Sequence, residues 1–200
     1  MGKNDFNKNM QEFTHMLYGV VYALDYLDKY EDKIKKEDLE KCIKDSLKVK
    51  VNRSYRSAIK TDRKFSPNGF SLNEENVHNI VLQANKGIIN LLIIGLCDLL
   101  DECLLGTHDV DNSKNLYEKI EGMHVDKKYE WSVKGVHELR IIRNCIVHNN
   151  GLFSKTAIRE LKQYVDKDSN VLENENINPC FEDIFRFRRA VRTFINETKK

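Results

Sequence analysis

The strongest constraint on the fold is an apolar repeat near the start of the chain. Seven apolar residues recur at alternating spacings of four and three: Phe6, Met10, Phe13, Leu17, Val20, Leu24 and Leu27. A period of about 3.5 residues predicts a straight helix whose single apolar stripe packs nearly antiparallel against neighbouring helices. The chain has two prolines in 200 residues, so long stretches of it are free to be helical.

The later apolar residues continue this helical pattern. They predict further helices near residues 39–51, 73–105, 114–121, 131–149, 154–165 and 179–195. No alternating pattern supports a sheet, although short strands could lie in the polar loop around Val171. We therefore predict an all-α helical bundle, with residues 1–200 forming a single domain.

Composition limits the classes of protein to which the chain can belong. Five scattered cysteines without a CxxC pair, and a start that does not resemble a secretory leader, predict reduced thiols in a cytoplasmic protein. The longest charge-free apolar run, residues 87–97, has 11 residues and is too short to cross a bilayer, so we expect no membrane association. Because the net charge is only +2, binding of nucleic acid would require a local basic patch.

Motifs for metals, cofactors and covalent nucleophiles are not found in the sequence. Cys97, Cys103 and His108 do not have the spacing of a closed zinc site. The chain has no phosphate-binding loop, no dinucleotide fingerprint and no serine nucleophile motif. We therefore expect a protein without a metal or a cofactor.

Arg143 is the charged residue that local sequence explains least. On a helical wheel with about 100° per residue, it falls inside the apolar arc that contains Leu139 and Val136. A guanidinium in such an arc needs a partner, because it cannot shed its proton. The residues three and four positions away are Arg140, Ile146, Leu139 and Val147. None of them is acidic, so we expect the partner of Arg143 to come from another helix, another subunit or a ligand.

A polar stripe runs beside this arc and consists of Arg140, Asn144 and His148, with His137 close by. His148 lies in the last turn of the predicted helix, where the negative helix end favours a protonated imidazole. Arg143 and His148 would flank one edge of a groove and supply a fixed cation and a proton-exchanging group. Cleavage of a phosphodiester without a metal needs these two functions. We expect Arg140 and His137 to be solvated or to contact phosphate.

The segment Arg143-Asn144-Cys145-Ile146-Val147-His148 resembles the R-x4–6-H motif of the HEPN superfamily, in its R-N-x3-H form. The following Asn149-Asn150-Gly151 is similar to the usual exit from the motif helix of that superfamily. In detail the resemblance covers this short segment. The all-helical layout, with the motif helix in the second half, is compatible over most of the chain.

This resemblance implies a four-helix-type antiparallel bundle, here with extra short helices, that dimerises so that two motif helices face each other. It implies RNA cleavage without a metal, by attack of a 2′-hydroxyl that leaves a 2′,3′-cyclic phosphate and a 5′-hydroxyl. Carried over by position, His148 would handle the proton, Arg143 would hold the scissile phosphate and Asn144 would orient the reacting groups. Proteins of this type include toxins and abortive-infection or antiviral defence effectors, so an antitoxin or trigger protein is a further expected partner.

Two other hypotheses remain open at this point. One is a HEPN-like module that binds RNA or a protein partner without cleaving. The other is a helical interaction protein in which Arg143 forms an interface salt bridge. We expect Glu138, on the far side of the motif helix, to lie at the surface.

The roles of two clusters of basic residues are also open. The first, which shares a helical face, is either a solvated surface or a track for an RNA backbone, and its members are Arg53, Arg56, Lys60 and Lys64. The second is shorter and lies near the C-terminus: Arg186, Arg188, Arg189 and Arg192. It is interleaved with Phe185, Phe187 and Phe194, which we expect to belong to the core rather than to a stacking platform.

Overall fold

The computed structural model describes residues 2–30, 33–48, 77–107, 113–165 and 171–199, and most of them are helical. The helices are α1 (Lys3–Tyr30), α2 (Lys36–Lys48), α3 (Val77–Thr107), α4 (Leu116–Glu121), α5 (Glu130–His148), α6 (Lys155–Leu161) and α7 (Phe181–Glu197). The all-α prediction is confirmed, whereas the HEPN-like arrangement of the bundle stays a prediction. Arg53, Arg56, Lys60 and Lys64 lie outside the described residues. Within the ranges given above, no helix combines the length and apolar character needed to cross a bilayer.

The chain divides into two compact units. The first consists of residues 1–22 and 85–200, and the second of residues 23–84. Leu24 and Val81 are the buried apolar side chains of the second unit among the residues described there. The residues of the candidate site all belong to the first unit. The prediction that residues 1–200 form a single domain stays a prediction.

The core of the first unit is built largely on α5 and α7. Fully buried apolar side chains come from α1, α3, α5 and α7, among them Phe6, Leu17, Leu96, Leu100, Leu139, Phe187 and Phe194. The backbones of α5 and α7 approach closely at Gly135, where an added Cβ would lie 2.6 Å from the Cβ of Ala190. Only glycine fits this contact without a shift of one helix. The close approach holds α5, which carries the predicted site, firmly on the core.

A short strand pair, which the sequence did not predict, joins the region before α5 to the end of α7. Strand β1 (His124–Val125) pairs antiparallel with β2 (Thr198–Lys199), with His124 opposite Lys199 and Val125 opposite Thr198. A single antiparallel bridge also joins Leu152 to Asn176. Strands of two residues are too short to leave an alternating pattern, so periodicity could not reveal them.

The end of α5 has the geometry that its sequence predicts. Asn150 and Gly151 both have a positive φ, of 51° and 75°. This left-handed backbone is accessible to glycine and, at lower cost, to asparagine. The amide of Gly151 donates to the carbonyl of Cys145 at 3.0 Å, which satisfies an end carbonyl of the helix. The turn stops α5 directly after His148 and leaves that imidazole at the helix end.

Candidate functional site

The predicted site residues lie on the C-terminal half of α5, next to two neighbouring cavities. The larger one, here called the Arg143 cavity, has a volume of about 590 Å³ and is also lined by residues of α3, α4 and the α6 region. The smaller one, the His148 cavity, has a volume of about 280 Å³ and lies at the end of α5. Arg140, Asn144 and Glu160 line both cavities. Two members of the polar stripe predicted on α5, Arg140 and Asn144, therefore belong to the wall that the two recesses share.

Arg143 lies in the Arg143 cavity with its side chain 29% exposed. Its Nη2 is 3.9 Å from Oδ1 of Asp98 on α3, and its Nη1 donates to Oδ1 of Asn144 at 3.3 Å. Of the three expected sources of a partner, another helix supplies one, Asp98. The contact is long and single, so it engages little of a guanidinium that carries five N–H donors. Arg143 is half-buried rather than enclosed in the apolar arc.

Arg140 corrects one expectation, because it is buried rather than solvated. It is 8% exposed, and its Nη2 lies 2.6 Å from Oε2 of Glu160 on α6. Its guanidinium carbon also lies 5.1 Å from the centre of the Tyr117 ring, within the range of a cation–π contact. A short charge-assisted hydrogen bond and an aromatic cover occupy this arginine before any ligand arrives. That Arg140 contacts RNA stays a prediction.

His137 is also buried, not solvated. Its side chain is 0% exposed and its ring stacks on Tyr164, with the ring centres 4.4 Å apart. Oε1 of Glu121 lies 2.9 Å from Nε2, but out of line with the ring N–H, so the two groups do not form an aligned hydrogen bond. Burial, with a smaller contribution from Arg140, lowers the pKa of His137 to about 4, against an opposing effect of Glu121. The imidazole is therefore neutral at neutral pH, and it lies in the core behind the site.

Glu138 lies outside the site but is not the simple surface residue that we expected. Its side chain is 14% exposed, and both of its oxygens bind Arg186 of α7, one of them at 2.7 Å. Asp183 approaches the same guanidinium at 3.1 Å. This network joins α5 to α7 on the side away from the cavities. The wheel placed Glu138 correctly on the far side, but could not show that α7 covers it.

Asn144 and His148 are both accessible, although they occupy different positions along the stripe. Asn144 is half-buried, accepts from Arg143 and lines both cavities. His148 is exposed and lines the His148 cavity, whereas Arg143 lines only the other one. The structure therefore brings Arg143 and Asn144 into contact, and Asn144 lies between Arg143 and His148. Within one chain, a cation and an imidazole face neighbouring recesses rather than a single one.

Comparison of the chain with protein-family models, curated proteins and solved structures found no match. The resemblance of residues 143–148 to the HEPN motif therefore rests on those residues alone.

The thiols near the cavities do not have the properties of nucleophiles. Burial raises the pKa of Cys97 to about 12, against an opposing effect of Arg143. Burial also raises the pKa of Cys145, which is 3% exposed. A thiol is a nucleophile in its thiolate form, so both side chains are inert at neutral pH. Among the described residues, no three His, Cys, Asp or Glu side chains are grouped closely enough to hold a metal ion.

Several residues of the site could not be found from the motif helix alone. Asp98 and Asp101 of α3, Tyr117 of α4, Glu160 of α6 and Tyr164 all line the Arg143 cavity. Asp101 is held by a buried lysine, Lys119, at 2.7 Å. The sequence signalled the need for an acid near Arg143, because none is available on α5 itself. It had no signal for which helix supplies the acid or for the two tyrosines.

Proposed function

We propose that this chain is a metal-independent endoribonuclease in which Arg143 holds the scissile phosphate and His148 transfers protons. The observation that carries the proposal is the Arg143 guanidinium, which is partly exposed in a cavity and has only a 3.9 Å contact with its acid. Such a cation can exchange that contact for a phosphate. Its fork of N–H donors matches two phosphate oxygens at once.

Comparison with the other cations near the cavity supports Arg143 as the phosphate ligand. Arg140 is engaged by Glu160 at 2.6 Å, and Lys119 is engaged by Asp101 at 2.7 Å. Both of those cations are also buried, at 8% and 4% exposure. A phosphate would have to break a short ion pair to reach either one. Arg143 requires no such rearrangement, so an incoming phosphate would bind it first.

The chemistry follows from these roles. The 2′-oxygen attacks the adjacent phosphorus and loses its proton, while the bond from phosphorus to the 5′-oxygen breaks and that oxygen gains a proton. The products are a 2′,3′-cyclic phosphate end and a 5′-hydroxyl end. An arginine that holds the phosphate stabilises the charge that develops on its oxygens. An imidazole can accept the first proton or supply the second, and Asn144 can fix the orientation of Arg143 through their hydrogen bond.

A second copy of the chain would complete this site. Two proton transfers are needed, and one chain contributes one imidazole to the stripe. His148 is exposed at the end of α5, and the adjacent Val147 is 43% exposed, so this end of the helix is free to meet another copy. A symmetric contact would bring two Arg143 and two His148 side chains to one groove.

The proposed biological role rests on the resemblance alone. That role is a toxin or an abortive-infection or antiviral defence effector, with an antitoxin or trigger as its regulator.

One observation favours the alternative of a module that binds RNA without cleaving it. In a single chain, Arg143 and His148 line different cavities, and the Arg143 cavity also contains Asp98, Asp101 and Glu160. If no second copy places an imidazole beside Arg143, a phosphate could bind there without being cleaved. Measuring binding and cleavage separately distinguishes the two functions.

The direct test is cleavage of RNA by the purified protein in EDTA, with analysis of the cut ends. We expect wild type to produce 2′,3′-cyclic phosphate ends, and Arg143→Ala and His148→Ala each to lose at least about 100-fold in rate. Arg159→Ala and His15→Ala are matched controls, because both side chains are exposed and neither lines a cavity described above. Equal residual activity in all samples would indicate a contaminant. RNA binding without cleavage by folded wild type would favour the binding module.

Mixing the two inactive variants tests the composite site. If one copy can supply the arginine and another the histidine, a mixture of Arg143→Ala and His148→Ala should recover part of the activity after subunit exchange. Each variant alone should stay inactive at the same total concentration. No recovery from a mixture that demonstrably forms heterodimers would contradict a site in which one arginine and one histidine from different copies suffice.

A further inference from the structure

A second polar recess lies between α1 and α7, away from the cavities on α5. It has a volume of about 410 Å³, and its lining includes Gln11 and Thr14 of α1 and Arg188, Arg192 and Asn196 of α7. No carboxylate lines it among the described residues. The site on α5 is different in this respect, because three acids line the Arg143 cavity.

Arg188 is held in a fixed orientation at this recess. Its Nη1 donates to Oγ1 of Thr14 at 2.7 Å. Thr14 is 8% exposed and donates its own hydroxyl proton to the carbonyl of Met10 at 2.6 Å. The hydroxyl proton of Thr14 is therefore used in a hydrogen bond within α1, and the lone pairs of the hydroxyl oxygen face Arg188. Such a relay positions the guanidinium without neutralising its charge.

Arg188 has an unusual environment for a half-buried arginine. No carboxylate of the described residues lies within ion-pairing distance of it, and its Nε is enclosed by protein without a hydrogen-bond partner. The other half-buried arginine of the described residues, Arg143, lies near an acid, Asp98, and the buried Arg140 is paired with Glu160. An arginine keeps its charge under all ordinary conditions, so partial burial without an acid is costly. A bound anion would offset that cost.

The neighbouring groups determine which kind of anion fits. Arg192 follows Arg188 by one helical turn and presents a second, exposed guanidinium to the same recess. The amides of Gln11 and Asn196 add neutral donors, and the buried side chain of Met10 provides an apolar wall that strengthens the local field. Two guanidinium forks with amide donors match the several oxygens of a phosphate better than the two of a carboxylate.

We propose that this recess, called here the Arg188 site, binds a phosphate group. The proposal stands on α1 and α7 alone and does not depend on RNA cleavage at α5. The same chemistry is offered by a small phosphorylated molecule and by the backbone of RNA. If the source is a small molecule, pyrophosphate alone should bind. If it is RNA, binding should need a nucleotide chain.

Calorimetric titration of the full chain tests the site. Pyrophosphate and a short single-stranded RNA are titrated separately, at a constant ionic strength set with chloride. We expect Arg188→Gln to weaken binding at least about tenfold, as for the loss of a charge-assisted contact. Arg188→Lys keeps the charge but loses the fork and should be intermediate. Arg189→Gln is the matched control, since Arg189 is exposed on the same helix beside Trp131 and the variant changes the net charge equally.

Thr14→Val provides an independent variant if Arg188→Gln does not fold. It removes the acceptor that orients Arg188 while keeping the shape of the side chain, and it should weaken binding about threefold or more. Pyrophosphate binding that depends on Arg188 supports the site with a small molecule as its source. RNA binding with the same dependence, in the absence of pyrophosphate binding, supports it with the RNA backbone as the source. Equal losses in Arg188→Gln and Arg189→Gln, or no binding of either probe by folded wild type, would overturn the proposal.

Discussion

Arg140 of α5 and Glu160 of α6 form an ion pair in which Nη2 and Oε2 are 2.6 Å apart. The Arg140 side chain is 9% exposed and that of Glu160 is 33% exposed. The Tyr117 ring covers the guanidinium from the side of α4. Since both charged residues line both cavities on α5, the pair forms the wall between them. It holds α6 against α5 at the level of Asn144.

Glu160→Gln should therefore destabilise the protein, because it leaves the buried Arg140 without an acid. We expect the free energy of unfolding to fall by about 1–3 kcal/mol, less than for a fully buried pair because Glu160 is partly exposed. Urea denaturation followed by circular dichroism measures the change. Lys155→Ala is the control, since it breaks an exposed pair with Glu173 at 3.6 Å and should have little effect. Equal effects of the two variants would contradict a structural role for the Arg140–Glu160 pair.

Gly135→Ala should destabilise the contact of α5 with α7. The new methyl group would lie 2.6 Å from the Cβ of Ala190, so one helix must shift, at a cost of about 1–3 kcal/mol. Gly95→Ala is the matched control, because Gly95 is exposed on α3 with no atom within 4 Å of an added Cβ. It should stabilise the protein by about 0.5–1 kcal/mol through helix propensity. Both changes can be measured by urea denaturation.

Ala190→Gly tests the mechanism behind the Gly135 prediction. In the Gly135→Ala background it removes the Cβ that the new methyl group would meet, so it should restore part of the lost free energy of unfolding. In the wild-type background the same change should only destabilise α7, because glycine is a poor helix former. If Ala190→Gly has the same effect in both backgrounds, the two residues do not interact.

The helices could be predicted because their signals are local. The repeat from Phe6 to Leu27 and the Asn150-Gly151 exit of α5 specify helix and turn from neighbouring residues alone. Burial of Arg140 and His137 could not be predicted in this way. Their partners, Glu160, Tyr117 and Tyr164, come from other segments, and a helical wheel carries no information about what packs on its polar stripe.

The candidate site could be predicted only in part, because its partners also come from other segments of the chain. The lack of an acid near Arg143 on its own helix correctly indicated a partner elsewhere, but not Asp98. The step of five residues between Arg143 and His148 suggested one groove edge. In the structure these side chains line two recesses that share Asn144, because five residues exceed a full helical turn by more than a third.

His137 should make the stability of the protein fall in mildly acidic solution. Burial is the main cause that lowers its pKa from the ordinary 6.5 to about 4, with Arg140 adding to the effect. As the pH falls below about 6.5, the unfolded chain binds a proton on this histidine before the folded chain does. The free energy of unfolding should therefore be highest above this pH and should decrease as the pH falls towards 4.

Urea denaturation at several pH values, with wild type and His137→Phe compared, isolates this contribution. The phenyl ring can keep the stack on Tyr164, so the variant should unfold with a shallower pH dependence between about 6.5 and 4. His15→Gln changes an exposed histidine and should follow the wild-type profile. Parallel profiles for wild type and His137→Phe would show that the buried histidine does not cause the acid sensitivity.

Asp98 provides a test that connects the geometry of the site to the proposed RNA cleavage. Its carboxylate is 59% exposed and lies 3.9 Å from Nη2 of Arg143, so it competes with a phosphate for the same guanidinium. Asp98→Asn removes that negative charge and should lower the KM for RNA about two- to fivefold at low salt, with a smaller effect at high salt. Glu102→Gln removes an exposed charge from the same helix and should leave the KM nearly unchanged. A loss of kcat in Asp98→Asn, with the KM unchanged, would instead mean that Asp98 positions Arg143 for the reaction rather than competing with its substrate.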